Sequence, residues 1–255
     1  MLRPLIRTGL ILLATSAAPA AWADDNADDA RAAVKAMAAF LAAQPALAVD
    51  FDSAIEIITP DLQKLQFNST GHLAVVRPDR IRLERRGGFA DVAAFFDGKV
   101  LTILDKDNNR YAEVDLAGTL DELMDRMPAE HGIGIPGSDL LRSASQAELV
   151  DSVTKASHIG GAVIGGVDTE YYAFRTPSVD WQVWIADGEQ PVPMKFVVTT
   201  KHIAQAPQYA IQFRDWTFGD AAAAMASTLA LGDAAKVDLL DLANLDELPA
   251  EGEAQ

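Results

Sequence analysis

The residues that could carry out chemistry in this chain are few and scattered. The four histidines, His72, His131, His158 and His202, form neither an H-E-x-x-H motif nor any i, i+4 pair, so their spacing predicts no zinc site. The sequence contains no cysteine, which excludes disulfides, thiolate nucleophiles and cysteine-ligated metals. It also contains no G-x-S-x-G nucleophile signature. We therefore predict that the protein is not an enzyme and that it holds no cofactor and no metal.

Two short motifs match ligand-binding loops by their letters only. Gly132–Gly137 reads G-x-G-x-x-G, but a predicted helix precedes it, whereas a dinucleotide site needs a strand there. Asp105–Asn109 begins like a calcium-binding loop, yet Arg110 occupies the glycine position and Leu116 the position of the bidentate glutamate. We interpret the first as a loop between helices and the second as a polar hairpin turn.

The charge of the chain limits its partners. Asp and Glu number 37 against 21 Lys and Arg, which gives a net charge of −16 and a pI near 4.5. Such a surface repels nucleic acid and anionic membrane surfaces. Because 49% of the residues are hydrophobic, the chain is expected to fold into a globule.

The N-terminus has the pattern of a secretory signal peptide. Arg3 and Arg7 precede an apolar run over residues 10–21, and Ala21-Trp22-Ala23 is an A-x-A cleavage site. The apolar run is too short to span a bilayer, which takes about 20 residues. We therefore predict export to a bacterial periplasm with cleavage after Ala23, and no integral membrane segment after cleavage.

The mature chain begins as a helix and continues as strands. Val34, Met37 and Leu41 recur at helical spacing within a predicted helix over residues 26–43. From residue 49 the apolar residues alternate with polar ones, as in strands with one buried face. Short turns, including the hairpin signal Asp97-Gly98, join six such strands up to residue 116, and turns this short require antiparallel neighbours.

One helix interrupts the strands before they resume. Thr119 and Glu122 have capping-box spacing, and a helix over 119–127 would present Leu120, Leu123, Met124 and Met127 on one face. Short helical turns are predicted at 136–143 and 146–150, and further strands over 158–217. The pattern predicts a mainly β, α+β fold with a single antiparallel sheet of about eleven strands, which tends to curl, and two helices whose apolar faces could fill its concave side.

The last part of the chain differs in composition. Residues 220–255 are rich in alanine and acidic residues, which predicts a partly disordered tail after a domain spanning 24–219. Leu239, Leu242, Leu245 and Leu248 leave an amphipathic helix open as an alternative. The tail interpretation predicts that the chain tolerates deletion from about residue 230 onward.

Several segments together resemble the DUF2092 family of predicted periplasmic proteins over residues 28–218. The segments are Arg77–Arg80, Phe95–Lys99 with Thr102 and Tyr111, Thr119–Met127, Ile135-Pro136 with Asp139–Leu141, Gly165–Asp168, Asp180–Ile185, Pro191 with Pro193, and Tyr209 with Trp216. The resemblance implies a fold similar to the LolA/LppX and RseB group, in which a strongly curved antiparallel sheet forms an unclosed half-barrel around lid helices. That group carries or senses lipids and lipoprotein acyl chains.

The resemblance leads to a hypothesis about function. It implies a periplasmic carrier or binding protein for an apolar ligand, a lipid or an acyl chain, held in the open barrel. The alternative is an envelope sensor or interaction protein that acts through protein partners. The candidate ligand-binding residues are Phe51, Ile55, Phe67, Leu73, Leu83, Leu120, Leu123, Met124, Met127, Trp181 and Trp184. The sequence leaves open which face of the 181–185 strand, that of Trp181 or that of Trp184, points inward.

Overall fold

The structure is a computed structural model that describes residues 26–131, 142 and 148–242. The signal-peptide prediction, the cleavage site after Ala23 and most of the helical turns expected at 136–143 and 146–150 lie outside these residues. The four helices of the described part are α1 (Ala27–Ala42), α2 (Leu120–His131), α3 (Glu148–Asp151) and α4 (Asp220–Met225).

Among the described residues, twelve strands form a single sheet. They are β1 (Ala46–Ile58), β2 (Lys64–Val76), β3 (Arg80–Gly87), β4 (Asp91–Phe96), β5 (Val100–Asp105), β6 (Arg110–Asp115), β7 (Lys155–Ile164), β8 (Val167–Arg175), β9 (Val179–Ala186), β10 (Pro193–Thr200), β11 (Gln208–Phe218) and β12 (Ala235–Lys236). The expected mainly β fold with one antiparallel, unclosed sheet is confirmed.

The order of the strands shows how the sheet is built. It runs β12-β6-β5-β4-β3-β2-β1-β11-β10-β9-β8-β7, so β1–β6 form one meander and β7–β11 form a second. Pairing of β1 with β11 joins the two meanders in the middle of the sheet. Within the described part of the chain, only the two-residue strand β12 is parallel to its neighbour, β6. The outermost strands of the described part, β7 and β12, do not pair with each other, which leaves the half-barrel open.

Two kinds of turn follow directly from the sequence. Gly98 has φ of 85° in the turn between β4 and β5, a conformation that glycine adopts without a steric penalty. Gly165 and Gly166 both have positive φ in the tight turn between β7 and β8. These turns set the register of the two hairpins.

Helices α1 and α2 cover one face of the sheet, which we call the inner face. The buried side of α1 (Ala30, Val34, Met37 and Leu41) and the buried side of α2 belong to one hydrophobic cluster with alternate residues of strands β1–β11. The alternation of the strands therefore sorts residues between this inner face and an outer face that is largely solvated.

The chain after β11 differs from the expected solvated tail. Helix α4 packs on the outer face, where Ala222 and Ala226 form a small cluster with Ala46, Ala48 and Ala74. Arg82 then donates hydrogen bonds to the carbonyl oxygens of Ser227 and Thr228, at 2.8 and 3.0 Å. We call residues 226–242 the strap. The ordered domain thus extends past residue 219.

The strap ends against the opposite face. Its strand β12 lies along the edge of β6, and Lys236 forms an ion pair with Glu113. A 3-10 turn (Leu239–Asp241) follows, and Leu239 and Leu242 join the hydrophobic cluster of the inner face. The packing of the strap is difficult to predict from its sequence, because few apolar residues, among them Leu239 and Leu242, make these contacts in a mostly acidic segment.

Candidate ligand-binding face

One half of the inner face is closed by helices. In the middle strands, Leu47, Val49 and Val75 are fully buried, as are Leu120 and Leu123 of α2. Met124 and Met127 of α2 are also buried in the same cluster. We call this region, beneath α1 and α2, the closed half; its side chains form a packed core.

Helix α2 is anchored at its N-terminus. The capping box expected from the sequence is present, since Glu122 accepts a hydrogen bond from the Thr119 backbone N–H at 2.7 Å. The backbone N–H of Leu120 also donates to the carbonyl oxygen of Pro78 at 2.9 Å. Burial lowers the pKa of Arg77, and the nearby carboxylate of Asp121 on α2 opposes that shift. These contacts tie the start of α2 to the turn between β2 and β3.

The other half of the inner face is apolar and only partly buried. Ile55 of β1 lies between Phe67 of β2 and Tyr209 of β11, and Ile57 lies opposite Leu65. All five of these residues are partly exposed, although they continue the same rows of inward-facing positions. We call this region the open end. Its side chains are apolar like those of the closed half, but they are more exposed to solvent.

Loops around the open end add exposed apolar side chains. Leu62 is 56% exposed in the loop between β1 and β2, and Ile203 is 45% exposed in the loop between β10 and β11. Phe89, in the turn between β3 and β4, is 40% exposed and packs edge-to-face on Phe67 with ring centroids 5.3 Å apart. The side chain of Gln205 donates to the carbonyl oxygen of Leu62 and so links two of these loops.

Polar side chains lie between the two halves. Ser53 of β1 pairs with Ser69 of β2, and both are buried. One row further toward the closed half, Arg85 of β3 lies opposite Gly71 of β2. Arg85 shares its side of β3 with Ile81 and is partly buried. We call Ser53, Ser69 and Arg85 the polar belt.

Gly71 makes room for an aromatic ring beside the belt. A Cβ atom at this position would lie 2.3 Å from Cζ of Phe51 and 2.4 Å from the carbonyl oxygen of Glu84. The ring of Phe51 therefore lies directly over the glycine, and only a residue without a side chain fits beneath it.

A second polar group lies at the far side of the inner face. His158 of β7 and Glu170 of β8 approach to 2.5 Å between Nε2 and Oε2, and the imidazole stacks on Tyr172. Burial raises the pKa of Tyr172, and the negative charges of Glu170, Asp187 and Asp29 raise it further. This arrangement favours the neutral form of the Tyr172 phenol.

The two tryptophans of β9 lie on opposite faces. Trp181 belongs to the inner cluster, stacked on Phe174 with ring centroids 3.9 Å apart. Trp184 lies on the outer face, stacked on Tyr171 at 4.4 Å with the ammonium of Lys195 over its ring at 5.3 Å. Trp184 therefore cannot share a ligand surface with the other candidate residues, because the strand alternation directs it away from them.

The remaining predicted residues divide between the two halves. Ile55 and Phe67 lie in the open end. Those in the closed half, or at its border, are Phe51, Leu73, Leu83, Leu120, Leu123, Met124 and Met127. Sequence reasoning missed Ile57, Leu65 and Tyr209 of the open end and the three loop residues around it. The alternation in β1 and β2 continues through Ile57 and Leu65, and that signal could have found them.

The outer face carries ion pairs, and His72 on this face contacts a carboxylate. His72 approaches Asp50 at 2.6 Å between Nδ1 and Oδ1, and Arg214 contacts both Asp50 and Asp52. The turn at Asp105–Asn109 is a polar hairpin turn, in which Asn108 donates to the buried Asp105 carboxylate.

Across the described part of the chain, no group of three or more histidine, cysteine, aspartate or glutamate side chains could hold a metal ion. No helix among residues 26–131 and 148–242 is long and apolar enough to cross a membrane.

Comparisons with solved structures give several partial matches. An uncharacterized conserved protein from Thermus thermophilus is 9% identical with a TM-score of 0.48, covering 81% of this chain and 98% of that one. The Mycobacterium tuberculosis lipoprotein LppX is 10% identical with a TM-score of 0.42, covering 74% and 95%. The Pseudomonas aeruginosa MucA/MucB complex is 11% identical with a TM-score of 0.43, covering 75% and 57%.

The sequence comparison identifies a family. Among curated proteins, none matches the chain. The family described as "Predicted periplasmic protein (DUF2092)" matches residues 30–239, a range that runs from α1 into the 3-10 turn of the strap. Because this match covers most of the sequence, the chain belongs to the DUF2092 family of predicted periplasmic proteins.

Proposed function

We propose that this protein binds an apolar ligand, an acyl chain or a lipid, on the open end of its inner face. The observation that carries the proposal is the partly exposed apolar surface of Ile55, Ile57, Leu65, Phe67 and Tyr209. Exposed apolar residues of three separate loops extend that surface toward solvent. Contiguous apolar surface of this kind commonly marks a binding site.

The energetics favour an apolar occupant. Each square ångström of apolar surface removed from water stabilises a complex by about 25 cal/mol. The closed half has already gained this energy from α1 and α2, whereas the open end has not. A ligand that covers the open end would remove its apolar surface from water, as α1 and α2 do for the closed half.

The shape of the site favours a slender ligand. Neighbouring strands of a curved sheet line it on one side, with Phe89 and Ile203 near its rim. The helices fill the closed half, so the surface available to a ligand is the partly exposed apolar face of the strands at the open end. An acyl chain can cover such a surface with few polar groups to desolvate.

The exported location is part of the same proposal. The N-terminal pattern with cleavage after Ala23 supports it, as does the family description as a periplasmic protein. In a periplasm, lipids and lipoprotein acyl chains are the abundant apolar molecules that need shielding from water.

A binding experiment with matched variants tests the proposal. The probe is 11-(dansylamino)undecanoic acid, whose fluorescence rises in apolar surroundings. We expect saturable binding to the wild-type protein and about tenfold weaker binding to Phe67→Ser, because that variant loses a large apolar contact. Val163→Ser removes an exposed apolar side chain from the edge strand β7 and should leave the affinity unchanged.

Native mass spectrometry of protein purified from periplasm provides an independent test. We expect an added mass equal to a lipid or fatty acid, reduced in Phe67→Ser. Absence of saturable probe binding together with absence of any added mass would contradict the proposal. Co-purification of a protein at fixed stoichiometry, with no bound lipid, would favour the envelope-interaction alternative.

A further inference from the structure

We infer that the outer face carries a second binding site, in which the strap closes over a small, uncharged, mostly apolar molecule. The site is a cavity of about 270 Å³ between the strap and strands β4–β6. Because the cavity lies on the opposite side of the sheet from the open end, the two sites are independent of each other.

One row of outward-facing residues crosses strands β3–β6 and forms the floor of the cavity. The row runs through the strand pairs Arg82–Phe95, Phe95–Thr102 and Thr102–Glu113. Phe96 belongs to the inner cluster, so the alternation of β4 directs Phe95 outward. Phe95 is nevertheless only 7% exposed, because the strap covers this part of the outer face.

The strap is fixed to both ends of this row. Arg82 at one end donates hydrogen bonds to two carbonyl oxygens at the start of the strap. Glu113 at the other end forms an ion pair with Lys236. The segment between these contacts crosses the row, and its Leu229 and Leu231 line the cavity. The middle of the strap can therefore shift to admit a ligand while both of its ends stay on the sheet.

The lining suits a compact apolar molecule. An aromatic ring and three aliphatic side chains supply most of it, from Phe95, Val100, Leu229 and Leu231. Thr102 and Thr228 add hydroxyl groups, which can each donate one hydrogen bond and accept others. An apolar lining with a few polar groups is typical of ligand pockets, and drug-sized ligands take pockets of about 300–1,000 Å³. The smaller volume here favours a compact molecule over a long acyl chain.

The charged lining residues disfavour an anion and do not require a cation. None of the described residues that line the cavity is a lysine or an arginine, whereas Asp97 and Glu113 are acidic. Hydrogen bonds from the backbone N–H groups of Val100 and Lys99 hold the pKa of Asp97 below its usual value, so this carboxyl is ionised at neutral pH. The carboxylate of Glu113 already has Lys236 as its partner. The two carboxylates repel an anion, and their existing partners leave an uncharged ligand as the favoured class.

Titration of the wild-type protein with 2-naphthalenemethanol, a compact uncharged alcohol, tests the inference. Two-dimensional ¹H–¹⁵N NMR of the full mature chain follows each backbone amide. We expect saturable shifts for amides around Thr102 and Leu231, and at least tenfold weaker binding of 2-naphthoate, which keeps the rings and adds a negative charge. Tenfold tighter binding of 2-naphthylmethylamine than of the alcohol would overturn the uncharged class. Absence of saturable shifts at the cavity would overturn the site.

Matched variants locate the alcohol. Thr102→Phe fills the cavity and Leu231→Ser removes part of its apolar lining, so we expect affinity losses of at least tenfold and about fivefold. Leu240→Ser, in the same strap but 94% exposed, is the control and should match the wild type. Thermal unfolding identifies any variant that is misfolded, and the shifts of the wild-type protein test the site without variants.

The open-end variant Phe67→Ser separates this inference from the proposed function. We expect it to bind the alcohol like the wild type, and we expect Thr102→Phe to bind 11-(dansylamino)undecanoic acid like the wild type. If Phe67→Ser weakens alcohol binding and Leu231→Ser does not, the alcohol binds at the open end and the second site is wrong. If the dansyl probe fails to bind while the alcohol binds beneath the strap, the proposed function fails and the second site stands.

Discussion

The closed half and the open end are built from the same strands, but their side chains differ in how deeply they are buried. Along β1, Leu47 and Val49 are fully buried, whereas Ile55 and Ile57 further along the same side are partly exposed. The residue types are alike, and the cross-strand neighbours in both halves are apolar. What differs is the cover, because the cluster that α1 and α2 join contains Leu47 and Val49 and does not include Ile55 or Ile57. The comparison shows that burial pattern, more than residue type, separates core from candidate site.

The largest expected effect concerns stability in the closed half. Leu123→Ala removes a fully buried side chain of α2, and we expect it to lower the free energy of unfolding by about 3 kcal/mol. Phe67→Ala, in the open end, should cost about 1 kcal/mol or less because the ring is already partly hydrated. Urea unfolding measures both. Equal costs would show that the open end is ordinary core.

Packing at the border of the two halves gives the next effect. Gly71→Ala would place a methyl group against the Phe51 ring and the Glu84 carbonyl, so we expect a loss of about 2 kcal/mol. Gly88→Ala has no atom within 4 Å of the added carbon and serves as the control. Thermal unfolding of the pair checks this. A Gly71→Ala variant as stable as Gly88→Ala would mean that Phe51 does not lie over the glycine.

The strap provides a third prediction. Leu242 is 8% exposed and Leu240 is 94% exposed, although the two are neighbours in an acidic segment. We expect Leu242→Ala to lower the free energy of unfolding by about 1.5–2 kcal/mol and Leu240→Ala to leave it unchanged. Truncation after Gly232, which also removes β12, should cost more than Leu242→Ala alone. A truncated chain with an unchanged melting temperature would support the solvated-tail interpretation instead.

The smallest effect concerns the charged outer face. A hydrogen bond from Lys106, and then one from Arg82, lowers the pKa of Glu84 below its usual value of 4.5. A carboxyl whose pKa is lowered by folding stabilises the protein above that usual value, and the contribution is lost as the pH falls through the lowered pKa. Because Glu84 is about one-third exposed, we expect less than about 1 kcal/mol.

Acid titration of Glu84→Gln checks the sign. The stability difference between wild type and variant should shrink as the pH falls below 4.5. A stability difference that grows on acidification would contradict the direction of the shift.

Local features of the fold were predictable from the sequence, and long-range ones were not. The Asp97-Gly98 turn, the alternation of β1 and β2 and the Thr119 capping box all depend on neighbours a few residues apart. Pairing of β1 with β11 joins residues more than 150 positions apart, and no periodicity within either strand specifies that partner. The spacing of Leu239 and Leu242 left an amphipathic helix open as an alternative, but it did not show that these residues pack on the inner face, because the segment around them is acidic.

The candidate site was predictable in part for the same reason. Alternation assigned Ile55 and Phe67 to one face, but it could not show which inward residues the helices leave uncovered. It also left the orientation of β9 open, because both of its faces carry a tryptophan, and Trp184 proved to lie outside. Arg85 follows the alternation of β3, yet a charged residue at an inward position is usually discounted as a break in the pattern.

Photolabelling with a fatty acid that carries a diazirine on its chain tests the central claim most directly. After irradiation of the full-length protein, peptide mapping locates the attached chain. The account predicts labelling within the open end, on the strand segments of Ile55–Ile57, Leu65–Phe67 and Tyr209, and a marked loss of label in Phe67→Ser. Label confined to outer-face peptides such as that of Trp184, or label unaffected by Phe67→Ser, would contradict it.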